Sequence, residues 1–322
     1  MSQDIAVIVE HLEGKIAGVS FEMLGQGREL AKSTGGKLVA LAAGQGIAAL
    51  AKELGAADAV VLCQSPALEH YTPEAHQHAL ASVLKARAPR ATLVANTSMG
   101  MDLGAGLAAA LGWPLVAYCR DARVDGGTLV ATSQIYGGKL LAEAELPGEH
   151  AIVSVLTGSS PADAGRVSGS PAIEEVAVPA AGRPRVRFKR LIQPEAGDVD
   201  ITREAVLVSV GRGIQSRDNI PVVEELAQAL GGTVSASRPI VYQGWLPKTR
   251  QVGKSGMTVK PKLYVAVGIS GAPEHLEGMR GAELIVAVNS DANAPIFNVA
   301  HYGVVGDLFD VLPLLTEKIK SA

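Results

Sequence analysis

Short apolar runs alternate with segments of helical periodicity along the first part of the chain. Compact apolar runs predict buried strands, and apolar residues spaced three and four apart predict the helices between them. Strands that alternate with helices at this interval form right-handed crossovers and a parallel sheet. The predicted strands are Ile5–Glu10, Lys37–Leu41, Ala59–Leu62 and Thr92–Asn96, and the predicted helices are Phe21–Lys32, Ile47–Leu54, Pro73–Arg87 and Leu103–Leu111.

The rhythm changes after Trp113, where strands follow one another with turn residues and no helix between them. This pattern predicts an antiparallel portion added to the parallel sheet. A segment rich in Ser, Gly and Pro (157–172) then predicts a surface loop or hinge. The four predicted strands are Leu115–Tyr118, Leu129–Gln134, Lys139–Leu146 and Ile152–Leu156.

A domain boundary is predicted near residue 195. Basic and apolar residues alternate through 183–193, the period of a half-exposed strand, and a connection over 194–200 leads to a new apolar strand. We therefore expect an α/β protein of two domains. The N-terminal domain (1–195) is a Rossmann-like parallel sheet with an antiparallel portion, and the C-terminal domain (196–322) is α/β with a parallel sheet.

The C-terminal domain repeats the strand–helix alternation. Asn219 before Pro221 is a plausible start for one helix, and Asp307 is a plausible cap for another. In open sheets of this kind, ligands bind beyond the carboxyl ends of the strands. The predicted strands are Ala205–Val210, Thr233–Ala236, Leu263–Val267 and Leu284–Asn289, with a short element at 304–305, and the predicted helices are Ile220–Leu230 and Leu308–Lys320.

Composition and charge narrow the function. The 322 residues are 48% hydrophobic, 19% charged and only 4% aromatic, with a formal net charge of −3. This balance is too apolar for disorder and argues against a globally basic nucleic-acid binder. Residues 183–262, however, hold 14 Lys and Arg against seven Asp and Glu. A basic stretch in an acidic chain predicts one anionic ligand and no anionic polymer.

Targeting and metal-binding motifs add little. No apolar run is long enough for a membrane span, and acidic residues at the N-terminus argue against a secretory signal. Cys63 and Cys119 both lie in apolar segments, so we expect buried thiols and a cytoplasmic or other reducing compartment. His76 and His78 are two apart on a predicted helix and do not share a face for metal binding.

Three polar loops follow predicted strands of the C-terminal domain. The glycines of Gly211–Gly213 would let backbone N–H groups approach a phosphate, although a plain turn explains them equally well. Arg238 before Pro239 predicts an extended connection that suits a flat anionic ligand, or simply a surface arginine. The loop 251–256 contains Gly-Lys-Ser, but Lys248 stands where a Walker motif needs its first glycine.

The strongest candidate is the loop after the strand Leu263–Val267. A Gly/Ser loop leads to Pro273 at a plausible first helical position, which predicts an anion site. His275 could donate a hydrogen bond to a ligand oxygen there, or could be an ordinary surface or capping residue. Asn289 and Asp307 follow apolar stretches and could bind ribose hydroxyls, or form an Asx-turn and a helix cap.

These loops, in this order, resemble one family, the alpha subunit of electron transfer flavoprotein. The resemblance is almost continuous over the C-terminal domain and looser before it, where the best matches are TSMGMDLGAGLAAALG (97–112) and IYGGK (135–139). The segments that carry it are GRGIQS (211–216), SASRP (235–239), VGKSGMTVKPKLYVAVGISGAPEHLEGM (252–279) and AVNSDANAPIFNVAHYGVVGDLF (287–309).

The resemblance implies a heterodimer with a beta subunit that holds one FAD, mainly on the C-terminal domain of the alpha subunit. Such a protein carries electrons from acyl-CoA or other flavin dehydrogenases to a quinone oxidoreductase or another acceptor, and does no substrate chemistry of its own. The residues that match FAD-binding positions are Arg212, Ser237, Arg238, Val252, Gly253, Lys254, Ser255, Ser270, Gly271, Ala272, Pro273, Glu274, His275, Asn289, Asp307 and Leu308.

The resemblance also implies roles within that site. Arg238 near the isoalloxazine and His275 near the pyrimidine carbonyl would favour negative charge on the N1–C2–O2 region and raise the first reduction potential. Ser255 would hydrogen-bond near N5 and O4. The chain departs from the usual pattern, because Lys254-Ser255 replaces Gln-Thr, Pro273-Glu274 replaces Ile-Gln, and Met101 stands where Arg is frequent.

Two alternatives remain from the residues alone. A nicotinamide-dependent oxidoreductase would need a GxGxxG-type turn with an acid about 20 residues further on, and the sequence has neither. A non-redox nucleotide-binding module that scaffolds a partner is the other alternative. The identity of the dehydrogenase, and whether the beta subunit holds AMP or a second, bifurcating FAD, stay open.

Overall fold

The computed structural model describes residues 2–178, 185–191 and 199–321 of the chain. The chain divides into two compact units, Met1–Arg190 and Leu191–Ala322. The predicted boundary at 195–196 lies outside the described residues and stays a prediction. Among the helices of the described ranges, none combines the length and the apolar character that crossing a membrane requires.

The first unit is built on a nine-stranded sheet in the order β11-β5-β4-β1-β6-β10-β7-β8-β9. The pairings from β11 to β7 are parallel, and β8 and β9 complete the sheet antiparallel. The strands are β1 Ile5–Ile8, β2 His11–Leu12, β3 Lys15–Ile16, β4 Leu38–Gly44, β5 Ala59–Gln64, β6 Ala91–Ala95, β7 Leu115–Asp125, β8 Thr128–Ile135, β9 Leu140–Leu146, β10 Ile152–Val155 and β11 Ala172–Ala177, of which β2 and β3 form a separate hairpin.

Three helices, α1 Gly18–Thr34, α2 Pro73–Arg87 and α3 Ser98–Leu111, accompany this sheet. Strand β1 is buried at every position, as expected for a parallel strand covered on both faces. Alternate residues supply two cores: Ile5 and Val7 pack in one, and Ala6 and Ile8 in the other. Short 3₁₀ helices occupy Ala48–Glu53, Pro66–Leu68, Tyr136–Gly138 and Ala162–Gly165.

The expected parallel sheet with an antiparallel portion is confirmed, with several corrections in detail. The predicted helix at Ile47–Leu54 is a 3₁₀ helix over Ala48–Glu53. Strand β10 is not part of the antiparallel portion, because it inserts between β6 and β7 and runs parallel to both. The predicted loop 157–172 contains a 3₁₀ helix and ends in β11, a strand that the sequence pattern missed.

The predicted strand at 183–193 is wrong over the part that the structure describes. Residues 185–191 form no strand there. Arg185 is instead held by Glu74 on α2, whose carboxylate accepts from the backbone N–H at 2.7 Å and from Nε at 2.6 Å. Phe188 stacks on His70 with ring centroids 3.8 Å apart. The alternation of basic and apolar residues therefore marks an exposed segment fixed by side-chain contacts.

The second unit is built on a five-stranded, fully parallel sheet in the order β13-β12-β14-β15-β16. The strands are β12 Val206–Val210, β13 Thr233–Ala236, β14 Leu263–Val267, β15 Leu284–Asn289 and β16 Tyr302–Val305, and the helices are α4 Ile220–Ala229, α5 Arg238–Tyr242, α6 Pro273–Met279 and α7 Leu308–Lys320. Short 3₁₀ helices lie at Arg212–Ile214, Arg217–Asn219, Lys248–Arg250 and Pro295–Asn298.

Two helices of this unit, α4 and α7, begin directly after the residues that were predicted to start or cap them. Asp307 caps α7 as predicted, since its carboxylate accepts from Phe309 N at 2.9 Å. Asn219 precedes α4 as predicted but does not cap it with its side chain. Its Nδ2 donates instead to the carbonyl of Ile214 at 3.0 Å.

In each sheet the first strand has later strands added on both of its sides, so the winding direction reverses beside it. In the first unit this topological switch point lies between β1 and β6, and in the second between β12 and β14. Strand ends at a switch point splay the following loops apart and leave a crevice, which is where α/β sheets bind ligands. A ligand-binding site is therefore expected at one of these two crevices.

Candidate functional site

Glycines let the chain pass very closely at the switch point of the second unit. Gly211 N donates to Val267 O at 2.8 Å, and Gly213 N donates to Gly268 O at 3.0 Å. A Cβ on Gly213 would lie 2.7 Å from Gly268 Cα, and Gly268 has a φ of +60°. No side chain fits between these loops, so the backbone itself forms the floor of the crevice.

A pocket of about 570 Å³ opens above this floor. Twelve of the sixteen predicted site residues line it: Arg212, Ser237, Arg238, Val252, Gly253, Lys254, Ser255, Ser270, Ala272, Glu274, His275 and Asn289. The pocket wall also contains Gly213, Pro239, Gln251, Gly268, Ile269, Asp291 and Ala294, which were not among the predicted binding residues.

Gly271, Pro273, Asp307 and Leu308 do not line this pocket. Gly271 has a φ of +86°, and a Cβ there would lie 2.3 Å from Ile296 N, so this glycine serves a close backbone approach. Pro273 is the first residue of α6. Leu308 packs in the apolar core of the second unit beside the cap residue Asp307. Each of the four has a structural role, and their part in ligand binding stays a prediction.

Gln251 organises the loop that carries Lys254 and Ser255. Its side chain is buried, its Oε1 accepts from Lys248 Nζ at 2.8 Å, and its Nε2 donates to Ser255 Oγ at 2.9 Å. The Ser255 oxygen is thus used as an acceptor, which leaves its hydroxyl proton to donate to a ligand. Gln251 was not among the predicted residues. Its position two residues before the Gly-Lys-Ser turn is the sequence signal that could have indicated this role.

Helix α6 packs against the same loop through glycines. A Cβ on Gly278 would lie 2.4 Å from Gly253 N, and Lys254 N donates to Glu274 O at 2.7 Å. The predicted anion site at the start of α6 is weaker than expected, because the helix has only seven residues. Side chains around the pocket therefore matter more than a helix dipole.

Arg238 is positioned differently from the expectation. It is the first residue of α5 and does not lie in an extended connection, because Pro239 fits the first turn of a helix. Its guanidinium lies 4.6 Å from the ring centroid of Tyr242, and Nη2 donates to the Tyr242 hydroxyl at 2.9 Å. This contact holds a cation at the rim of the pocket.

Asn289 holds the loops beside the pocket. Its Nδ2 donates to Ile269 O at 2.9 Å, and its Oδ1 accepts from Asp291 N at 2.9 Å. Asp291 in turn accepts from Asn293 N at 2.9 Å. The Asx-turn explanation of this segment is confirmed, and the side chain of Asn289 lines the pocket while it fixes the backbone.

His275 is a buried polar residue of the pocket wall, as are Ser237 and Gln251. Its ring is 7% exposed, and Nε2 lies 2.9 Å from the hydroxyl of Tyr264. Nδ1 is buried and has no hydrogen-bond partner in the part of the chain that the structure describes. Burial lowers the pKa of His275 to about 4. The backbone of Val252 interacts with the imidazole and opposes this shift, although no hydrogen bond of standard geometry joins Nδ1 to a described residue. The imidazole is therefore neutral near pH 7.

A larger depression of about 1070 Å³ lies in the first unit, between α2 and residues 185–188. No glycine and none of the sixteen predicted residues lines it. Its lining comes from the loop after β5, from α2, from Ala110 and from residues 185–188, and not from the loops that follow β1 and β6. Geometry at the strand ends therefore favours the smaller pocket as the functional site. Within the described ranges, no group of three or more His, Cys, Asp or Glu residues is arranged to hold a metal ion.

Two family profiles match the chain. Residues 5–181 match the electron transfer flavoprotein domain, and residues 200–280 match the electron transfer flavoprotein FAD-binding domain. The chain belongs to the electron transfer flavoprotein alpha-subunit family. The second profile spans β12 to α6 and so includes the glycine floor, Arg238, the Gln251 loop and His275 of this family member.

Similar proteins agree over nearly their whole length. An electron transfer flavoprotein subunit alpha of Megasphaera elsdenii is 39% identical, over 98% of this chain and 96% of its own. Protein FixB of Clostridium saccharobutylicum is 37% identical over the same shares. An acryloyl-CoA reductase electron transfer subunit beta of Anaerotignum propionicum is 34% identical, over 99% of this chain and 96% of its own. The resemblance noted in the sequence is confirmed.

Proposed function

We propose that this chain binds FAD in the crevice of its second unit and, with a beta subunit, passes electrons between other flavoproteins and an acceptor. The observation that carries the proposal is the pocket at the switch point, whose floor is glycine backbone and whose wall includes Arg212, Arg238 and His275. Nδ1 of His275, which has no hydrogen bond of standard geometry among the described residues, adds a polar group on that wall.

The residues present fit a flavin dinucleotide. Gly213 and Gly268 at the floor carry no Cβ, so a bulky ligand can lie close to the backbone there. Arg212 and Arg238 supply positive charge for a pyrophosphate or for a flavin that gains negative charge. Bound FAD supplies reversible one- and two-electron transfer.

The side chains around the ring position would act by hydrogen bonding and charge. Ser255 donates its hydroxyl proton, since its oxygen already accepts from Gln251. His275 donates or accepts at Nδ1, and as a neutral group it contributes a dipole and no full charge. Arg238 contributes the cation. Glu274, on the same wall, opposes that cation when ionised. No residue is assigned a bond-making role.

The partners follow from the family. We propose a beta subunit as the constitutive partner, acyl-CoA or other flavin dehydrogenases as donors, and a quinone oxidoreductase or another carrier as acceptor. The relative named as an electron transfer subunit of acryloyl-CoA reductase supports acyl-CoA-type partners. We also propose a reducing, cytoplasmic setting, which is consistent with the free and buried Cys63 and Cys119.

The proposal is tested by co-producing the full chain with an electron transfer flavoprotein beta subunit from the same organism. We expect a yellow complex whose heat-released flavin is FAD and whose absorbance bleaches in stages under dithionite. A colourless complex that refuses added FAD, or one that carries AMP or ATP without flavin on this chain, would contradict the proposal.

A further inference from the structure

Among the described residues, Tyr264 is the largest fully buried side chain, and it contacts the pocket residue His275. It sits on β14 opposite Leu207 of β12 and is 0% exposed. A tyrosine so deeply buried needs a hydrogen-bond partner for its hydroxyl. That partner is Nε2 of His275, 2.9 Å away. The contact joins the second unit's sheet to a side chain of the pocket wall.

The direction of this hydrogen bond follows from the chemistry of the two groups. A neutral imidazole nitrogen, with an ordinary pKa near 6.5, is a much better acceptor than a phenol oxygen. The phenol is in turn the stronger donor. Burial keeps both groups neutral, because it lowers the pKa of His275 to about 4 and raises the pKa of Tyr264. The stable arrangement has the Tyr264 O–H donating to Nε2.

We infer that Tyr264 is a positioning residue that fixes the tautomer of His275, so that the imidazole proton lies on Nδ1 and is offered to an acceptor atom of the ligand in the pocket. The inference rests on the proposed function for the identity of that ligand. A carbonyl oxygen of the flavin ring is an acceptor of the required kind. The hydroxyl of Tyr264 thus determines which hydrogen-bonding group His275 presents to a ligand in the pocket.

The first test observes the proton directly. The full chain is labelled with ¹⁵N-histidine, and long-range ¹H–¹⁵N spectra are recorded at neutral pH with and without FAD. His275 is assigned by the resonance that His275→Asn removes. We expect a protonated Nδ1 and a bare Nε2 in both states. A proton on Nε2, or a fast mixture of both tautomers, would overturn the inference without any variant of Tyr264.

The second test removes the hydroxyl. In Tyr264→Phe we expect His275 to lose its single-tautomer signature, and the dissociation constant for FAD to rise about tenfold, the worth of one net hydrogen bond. Tyr302→Phe, on the exposed strand β16, is the matched control and should change neither. An unchanged His275 spectrum in folded Tyr264→Phe would overturn the inference.

The two proposals fail separately. If wild-type protein refuses FAD while His275 still carries its proton on Nδ1, the proposed function is wrong and the positioning role of Tyr264 stands for another acceptor ligand. If FAD binds but the proton lies on Nε2, the positioning role is wrong and the proposed function stands. Should Tyr264→Phe not fold, the wild-type spectrum alone decides the matter.

Discussion

The two units present the same kind of crevice and use it in opposite ways. At the first switch point, Glu10 follows β1 and Thr97 precedes α3, and the Thr97 hydroxyl donates to Glu10 Oε1 at 2.7 Å. Thr97 Oγ also accepts from Gly100 N at 2.9 Å. The chain thus places its own carboxyl group at a helix N-terminus, where an external anion would otherwise bind.

The second crevice has no such side chain at its floor. Gly211 and Gly268 stand at the ends of β12 and β14, and the buried Nδ1 of His275 lacks a partner among the described residues. Topology alone therefore does not make a binding site. The difference is that a side-chain carboxyl group of the chain occupies the first crevice, whereas glycine backbone forms the floor of the second.

Closing the second crevice should have the largest effect. In Gly268→Ala the new Cβ would lie 2.8 Å from Gly213 Cα at a residue with φ of +60°. We expect the second unit to lose more than about 3 kcal/mol of unfolding free energy and FAD affinity to fall at least about a hundredfold. Denaturant unfolding and FAD titration measure the two effects.

Gly46→Ala is the matched control for that change. Gly46 also has a positive φ (+67°), but nothing lies within 4 Å of its Cβ position. It should show only the backbone cost, about 1 kcal/mol. If Gly268→Ala binds FAD as the wild type does, the glycine floor is not part of the site.

Lowering the pH should destabilise both units, because each buries one neutral histidine. The pKa of both His76 and His275 is lowered to about 4, mainly by burial. Unfolded histidines take up protons near pH 6.5, so the unfolded state binds more protons between pH 6.5 and 4. Unfolding free energy should therefore fall as pH decreases through that window, by up to about 3 kcal/mol for each histidine.

The flavin-free chain is the material for this measurement. His275→Asn should reduce the acid sensitivity of the second unit. His78→Asn, at an exposed position on α2, should leave the pH dependence as it is. A pH profile of His275→Asn that matches the wild type would show that His275 does not stay neutral.

Removal of the Glu10 side chain from the first crevice should reduce the unfolding free energy by less than closure of the second crevice does. Glu10→Ala removes the partner of the Thr97 hydroxyl and leaves a small cavity, and we expect a loss of about 2 kcal/mol from the first unit. Glu10→Gln keeps an acceptor oxygen and should stay within about 1 kcal/mol of wild type. Neither variant should bind a second FAD. If Glu10→Ala gained flavin binding, the Glu10 carboxyl group would be the single feature that prevents flavin binding in the first crevice.

The smallest expected effect concerns the cation of the second crevice. Arg238→Ala should lower the first reduction potential of bound FAD by about 60 mV, equivalent to tenfold. Tyr242→Phe keeps the ring under the guanidinium but removes the hydroxyl, so it should shift the potential less. Spectroelectrochemical titration makes the comparison, and an unchanged potential in Arg238→Ala removes this residue from flavin tuning.

Local sequence signals predicted much of this architecture. Helix α2 has the predicted bounds, because Pro73 starts it and Ala88 ends it in a left-handed conformation. The α/β class followed from the alternation of strands and helices. The strand-end loops of the second unit were found because glycine and small polar residues recur where the predicted strands end, and α/β sheets bind ligands at those ends.

Contacts between distant residues could not be predicted in the same way. Glu10 and Thr97 are 87 residues apart, and Tyr264 and His275 meet across a strand and a helix. Neither residue of such a pair signals its partner, since the contact exists only once the sheet has formed. Strand β11 was missed for the same reason, because its pairing with β5 joins segments far apart in the chain.

The most direct test of the account is the number of FAD molecules that this chain binds. The full chain is titrated with FAD, with the beta subunit present and its own flavin content measured separately. We predict saturation at one FAD per chain, an unchanged isotherm in Glu10→Ala, and an affinity at least about a hundredfold weaker in Gly268→Ala. Saturation at two would show a further site on the chain. Binding that survives Gly268→Ala and disappears in Glu10→Ala would place the site in the first unit, and either result would contradict the account.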